Sequence, residues 1–139
     1  EQLRSDVRAL CAGFPDEYWR RLDRERAYPE AFVRALTGAG YLSALIPAEY
    51  GGLGLGVTEA SIVLEEINGS GGHSAACHAQ MYVMGTLLRH GNDEQKQRWL
   101  PQIAGGELRL QAFAVTEPTA DTSCTGVIRR IIDGDCAGS

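Results

Sequence analysis

Ile46–Gly56, IPAEYGGLGLG, and Gln111–Ala120, QAFAVTEPTA, are the two stretches that decide the fold class of this 139-residue chain. The first places a proline and four glycines immediately before a helical pattern. Its glycines invite a nucleotide-binding interpretation, but no three of them satisfy GxGxxG and no GK[ST] follows. They are read instead as a tight loop using the positive φ values that glycine tolerates. The second stretch marks a change of texture, from helical periodicity upstream to strand-like alternation downstream.

Working outward from these stretches, the N-terminal side reads as a run of helices. Leu3, Val7 and Leu10 recur at helical spacing, and Gly13 is placed to end the first helix. Pro15 opens a second, carrying Tyr18, Trp19 and Leu22. Pro29 suits the first position of a third, with Phe32, Ala35, Leu36 and Ala39 on its apolar face and Gly40 as its stop. Thr58 is expected to cap a helix with Ala60, Val63, Leu64 and Ile67 on one side, broken at Gly69–Gly72. Ser74 to His90 forms the next, with Cys77, Met81, Met84, Gly85 and Leu88 along one stripe. Asn92 and Gln95 make a variant capping box for a helix through Trp99, with Glu94 and Arg98 paired at i, i+4, and Pro101 and Gly105–Gly106 closing the helical part.

Beyond Gly106, Leu108–Thr116 and Val127–Ile132 read as strands separated by a turn at Pro118. The expected architecture is therefore mainly α: a helical domain over residues 1–107, then a short β-strand stub over 108–139 that begins a second domain.

Composition excludes several function classes. Eighteen acidic residues against thirteen basic ones give a net charge of −5, with no Lys/Arg stripe and so no electrostatic reason to bind nucleic acid. No apolar run approaches the ~20 residues of a membrane span. The four cysteines (Cys11, Cys77, Cys124 and Cys136) contain no CxxC pair, which fits a reducing, cytoplasmic compartment. His73 and His78 stand five apart, on different sides of a helix, and no thiol or carboxylate completes a ligand set; no metal site is expected. Glu65 and Glu66 are adjacent and so diverge on their helix, which favours a solvated or salt-bridged pair over a general acid/base dyad.

Together the two opening stretches, and the helical spacing between them, resemble the acyl-CoA dehydrogenase family of flavoenzymes over roughly Leu3–Ala120. The resemblance implies an FAD-dependent α,β-dehydrogenation of an acyl-CoA thioester, in which a glutamate removes the α-proton and a hydride passes to the flavin. It assigns Phe113, Val115 and Thr116 to a flavin-contacting segment, with the threonine hydroxyl and backbone N–H groups facing the polar rim of the ring system. It also sets the Met81 and Met84 helix against the acyl tail, although core packing between helices is the commoner use for flexible thioether side chains and the two uses are compatible. The family's TEPxAG[ST]D pattern is shortened here, so that Thr116-Glu117-Pro118-Thr119-Ala120 runs directly into Asp121. The family's catalytic glutamate comes from a later part, so no catalytic residue is assigned, and Glu65, Glu66 and Glu117 are not candidates. The expectation is a truncated, catalytically inactive form, assembling as a homo- or hetero-oligomer. Alternatives are a non-catalytic helical partner of a complete dehydrogenase, or a fragment of an acyl-CoA oxidase or flavin monooxygenase on the same scaffold.

Overall fold

The computed structural model describes residues 1–109, and these form six helices with two short 3-10 turns between the third and fourth. α1 is Gln2–Ala12, α2 Asp16–Glu25, α3 Glu30–Gly38, α4 Val57–Gly69, α5 Ala75–His90 and α6 Asp93–Gly105. The turns are Tyr41–Ser43 and Ala48–Tyr50. No strand occurs among the described residues; Leu108 and Arg109 have no regular structure, and the rest of the expected strand stub lies outside them.

Two helix starts show their local cause directly. Asn92 accepts from the Gln95 N–H at 2.8 Å while the Gln95 side chain accepts from the Asn92 N–H at 3.0 Å, the reciprocal box expected at the start of α6. α4 begins two residues earlier than an N-cap at Thr58 would place it. Its N-cap is Gly56, whose N–H donates to the Glu59 carboxylate at 3.1 Å. Having no side chain, Gly56 supplies only half of a capping box, so Glu59 does the work.

Pro101 does not close α6 but lies inside it. A proline there removes one backbone donor and crowds the preceding turn, at a cost of about 3 kcal/mol. The neighbouring Leu100 and Ile103 are 0% and 1% exposed, and their burial holds the helix through the proline to Gly106, which caps it with φ +78°. Glu94 and Arg98 form no ion pair. The Arg98 guanidinium lies over the Trp99 ring instead, 4.5 Å from its centre.

Two core clusters form. The first gathers Val7 and Cys11 from α1, Phe32, Val33 and Leu36 from α3, Tyr41 and Leu42, Val63 and Ile67 from α4, and Cys77 from α5. The second gathers Ala44, Ile46, Ala60, Met81, Met84, Leu87, Leu100 and Ile103. α4 and α5 each contribute to both, and Leu64 packs against both, so these two helices are the spine of the domain. An aromatic group seats α2: Phe14, Tyr18, Trp19 and Phe32 meet edge to face at 4.8–5.1 Å. Trp19 Nε1 also donates to the Phe14 carbonyl at 3.0 Å.

The glycine loop is a packed turn, as its composition predicts. Gly51 and Gly54 have φ of +84° and +63°. Gly52 lies so close to Ile46 that a Cβ would sit 2.1 Å from the Ile46 carbonyl oxygen. The Gly54 and Leu55 N–H groups donate to the Ile46 and Ala44 carbonyls, both at 2.8 Å, and so lay the loop against the buried 44–46 passage.

Candidate functional site

α5 is the helix that the sequence links to a ligand, and its two sides have different uses. Met84 is completely buried and Met81 is 7% exposed, both within the second core cluster. The buried stripe also takes in Gln80 and Leu87, while Gly85 and Leu88 are only half-buried. Gln80 was not legible as a core residue. Its Nε2 donates to the Leu42 carbonyl at 2.8 Å, tying α5 to the 41–43 turn, while its Oε1 has no partner among the described residues.

The opposite side of α5 faces outward. Ala75, His78, Ala79, Tyr82 and Thr86 recur at i, i+3, i+4, i+7 and i+11, all exposed or half-buried. The His78 and Tyr82 rings lie 4.3 Å apart, and Thr86 Oγ1 donates to the Tyr82 carbonyl at 2.8 Å. Tyr82, 51% exposed, is the large side chain of this face. The same helical count that groups Met81 with Met84 sets Tyr82 on the other side, so the signal was present in the sequence.

At its N-terminal end this face opens into a groove of about 570 Å³. Ala75 and Ala79 line it together with Val33, Trp19, Leu22, Tyr28 and Pro29, with Asp23, Arg26 and His73 among the polar lining groups. Two features shape it. Gly72 allows the α4–α5 turn to approach Trp19, where a Cβ would come within 3.3 Å of the indole. His73 Nδ1 accepts from the Ala75 N–H at 3.2 Å, pinning the start of α5.

The acidic pair on α4 is structural. Glu66 is 6% exposed and receives Arg4 Nη1 and Arg8 Nε, each at 2.5 Å, and Arg8 Nη2 at 3.0 Å. Glu65 receives Arg4 Nη2 at 2.7 Å. Hydrogen bonds from Arg8 and then Arg4 hold the Glu66 carboxyl below its ordinary value, overcoming the opposing effect of burial. A carboxylate held ionised between two guanidinium groups is a poor general base, consistent with the salt-bridged interpretation.

Burial raises the Cys77 thiol to about 12, so it is inert rather than nucleophilic. Among the described residues no three His, Cys, Asp or Glu side chains form a group able to hold a metal, and no helix is long and apolar enough to cross a membrane. Phe113, Val115 and Thr116 lie outside the described residues, as does Glu117.

With the six-helix arrangement, the glycine loop and α5 in place, comparison with known proteins identifies the family. Residues 1–107 match the family model described as "Acyl-CoA dehydrogenase, N-terminal domain". The chain belongs to the acyl-CoA dehydrogenase family. It is 35% identical over 124 residues to acyl-CoA dehydrogenase FadE12 of Mycobacterium tuberculosis, covering 88% of this chain and 32% of that protein. It is 35% identical over 124 residues to the mitochondrial isovaleryl-CoA dehydrogenase of Pongo abelii, covering 86% of this chain and 29% of the relative. The human mitochondrial short-chain specific acyl-CoA dehydrogenase is 34% identical over 101 residues, covering 70% and 24% respectively. The chain thus spans about a third or less of the length of the curated relatives it matches. No solved structure matches the chain significantly. The helical acyl-CoA dehydrogenase N-terminal fold is therefore the fold of the described residues.

Proposed function

We propose that this chain supplies the helical N-terminal domain of an FAD-dependent acyl-CoA dehydrogenase, with residues 1–107 as that domain and 108–139 opening the flavin-contacting β-domain. The observation that carries this is the unbroken family match over residues 1–107, which includes the glycine loop and α5. The proposed substrate is an acyl-CoA thioester whose tail lies along α5. The outward face around Tyr82 would meet it directly, and Met81 and Met84 would back that face from the core. The proposed setting is cytoplasmic, in a homo- or hetero-oligomer.

FAD would supply the acceptor for the substrate hydride. The residues proposed to contact it are Phe113, Val115 and Thr116, outside the described part, so the described geometry carries no step through the flavin. The part played by residues 1–109 is to shape the acyl site and exclude water from it. The carboxylates most tempting as a base, Glu65 and Glu66, are held by arginines on α1. These 139 residues by themselves are accordingly proposed not to turn over substrate. The test is to purify the chain with added FAD, record its visible spectrum and follow dye reduction on addition of acyl-CoA. Bound flavin without turnover is the expected result. Acyl-CoA-dependent dye reduction would refute the inactivity, and the lack of any flavin or acyl-CoA binding would refute the proposed role.

A further inference from the structure

We propose that Asn68 and Gly69, the last two residues of α4, are a self-modification site. The Gly69 backbone nitrogen cyclises onto the Asn68 side chain, and the ring then opens to aspartate and isoaspartate. This chemistry is independent of the chain's role in a dehydrogenase.

The chain has two asparagines, and their surroundings differ. Asn92 is fixed as the N-cap of α6, its Oδ1 accepting from the Gln95 N–H at 2.8 Å, and the side chain of Asp93 crowds the next nitrogen. Asn68 is exposed, and among the described residues nothing bonds its side-chain amide. Its successor is glycine, which has no Cβ to hinder attack. Nothing outside its own helix lies within 4 Å of where a Gly69 Cβ would stand, so a ring formed there meets no wall.

The helix end supplies the motion that closure needs. In a regular helix the Gly69 nitrogen is tied to the preceding turn, so attack waits for the last turn to open. Asn68, Gly69, Ser70 and Gly71 are all exposed, and a helix end without an apolar anchor is among the first parts of a fold to open. The completely buried Ile67 is the last anchor before them. Gly69 weakens that turn further, as glycine does in any helix.

The step balances with water as its only co-reactant. The deprotonated Gly69 amide forms a bond to Asn68 Cγ, the Cγ–Nδ2 bond breaks, and the nitrogen departs as ammonia. Water then opens the succinimide. Opening at Cγ gives aspartate, and opening at the former main-chain carbonyl gives isoaspartate. Nothing is oxidised or reduced.

Either product puts a new negative charge in the final turn of α4, where the helix dipole and nearby Glu65 both disfavour it. Isoaspartate does more. It adds a methylene to the main chain and turns the Asn68 carbonyl, which accepts from the Gly71 N–H at 3.1 Å, into a free carboxylate. The same turn sets Gly72 beside Trp19 and leads into α5, so the modification loosens the α4–α5 connection.

The full chain would be aged at mildly alkaline pH, native and in urea, and then digested with trypsin. Cleavage after Arg34, Arg89 and Lys96 separates Asn68 from Asn92, and fragmentation locates each changed residue. Methyl transfer from S-adenosylmethionine by an isoaspartyl methyltransferase counts the isoaspartate. The expected result is conversion of Asn68 in the native chain, faster at higher hydroxide concentration, with isoaspartate among the products and Asn92 unchanged. Gly69→Ala should slow it by about fivefold or more, the factor by which helix propensity alone shifts the opening of that turn. The aged chain should melt below Asn68→Asp, which carries the charge without the added methylene. Asn68 intact in the native chain after the urea-treated chain has converted would overturn the proposal, as would equal conversion of Asn92 in the native chain. Aspartate without isoaspartate would overturn the succinimide route, and an aged chain melting together with Asn68→Asp would overturn the loosening of the turn.

Discussion

Arg8 on α1 meets Glu66 on α4 through two hydrogen bonds, Nε to Oε2 at 2.5 Å and Nη2 to Oε1 at 3.0 Å, across 58 residues of chain. Glu66 is buried while the Arg8 side chain is 63% exposed, so the carboxylate is drawn inward and the arginine covers it from outside. α1 packs more extensively on α4 than any other pair of elements meet, and this contact sits along that seam. The pair works as a charge-assisted clasp between the first helix and the spine of the domain.

The clasp has a pH signature. The folded-state pKa of Glu66 lies below its ordinary 4.5, so the ionised form is the one that folding favours. Its contribution is then fully present above 4.5 and is lost as pH falls through the lower folded value. Thermal melts followed by circular dichroism should show the midpoint dropping as pH is lowered below that point. Glu66→Gln should melt lower at neutral pH and show a shallower acid dependence. An unchanged acid slope in the variant would remove the clasp from the account.

Met84 tests how far the core interpretation of α5 holds. It is completely buried beside Leu87, Leu100 and Ile103, so Met84→Ala should cost about 2–5 kcal/mol in urea denaturation, while Met84→Leu should cost less than about 1.5 kcal/mol. A loss of well under 1 kcal/mol for the alanine variant would mean that the side chain faces a cavity rather than a core.

Two glycines should respond in opposite directions to the same substitution. Gly52→Ala forces a Cβ to within 2.1 Å of the Ile46 carbonyl oxygen, a contact that only backbone movement relieves, so the variant should be severely destabilised. Gly85, inside α5, has nothing within 4 Å of its would-be Cβ, and Gly85→Ala should gain roughly 0.5–1 kcal/mol through helix propensity. Paired denaturation curves check both, and equal effects would contradict the geometry.

The buried thiols should be silent. In a chain with Cys124→Ser and Cys136→Ser, Cys11 and Cys77 are the remaining cysteines, 4% and 0% exposed. With Cys77 pushed up to about 12, a disulfide reagent at mildly alkaline pH should modify Cys77 only as fast as the domain opens, and denaturant should release both thiols. Rapid labelling of Cys77 in the native chain would show that the first core cluster is open.

The resemblance carried by Ile46–Gly56 and Gln111–Ala120 pointed to the family, and the sequence alone also determined the helical class and most helix boundaries. Those rest on local chemistry: Gly13 after α1, the Asn92–Gln95 box before α6, Gly106 after it, and a glycine loop whose spacing excludes a phosphate cradle. Such signals act within a few residues, so they survive without knowledge of the fold. The start of α4 was misplaced only because Glu59 reaches back to Gly56, an alternative cap that the pattern at Thr58 hid.

Tertiary structure decided what depends on partners distant in the chain. Pro101 stays helical because Leu100 and Ile103 are buried by other elements. Gln80 becomes a core residue because the Leu42 carbonyl, 38 residues away, needs its amide. Glu66 becomes a clasp because α1 brings two arginines to it. The groove exists only once α2 and the α4–α5 turn close around Ala75 and Ala79. Helical periodicity can say which side chains share a face, but which of those faces meets core, groove or solvent is settled by the packing of other elements against it.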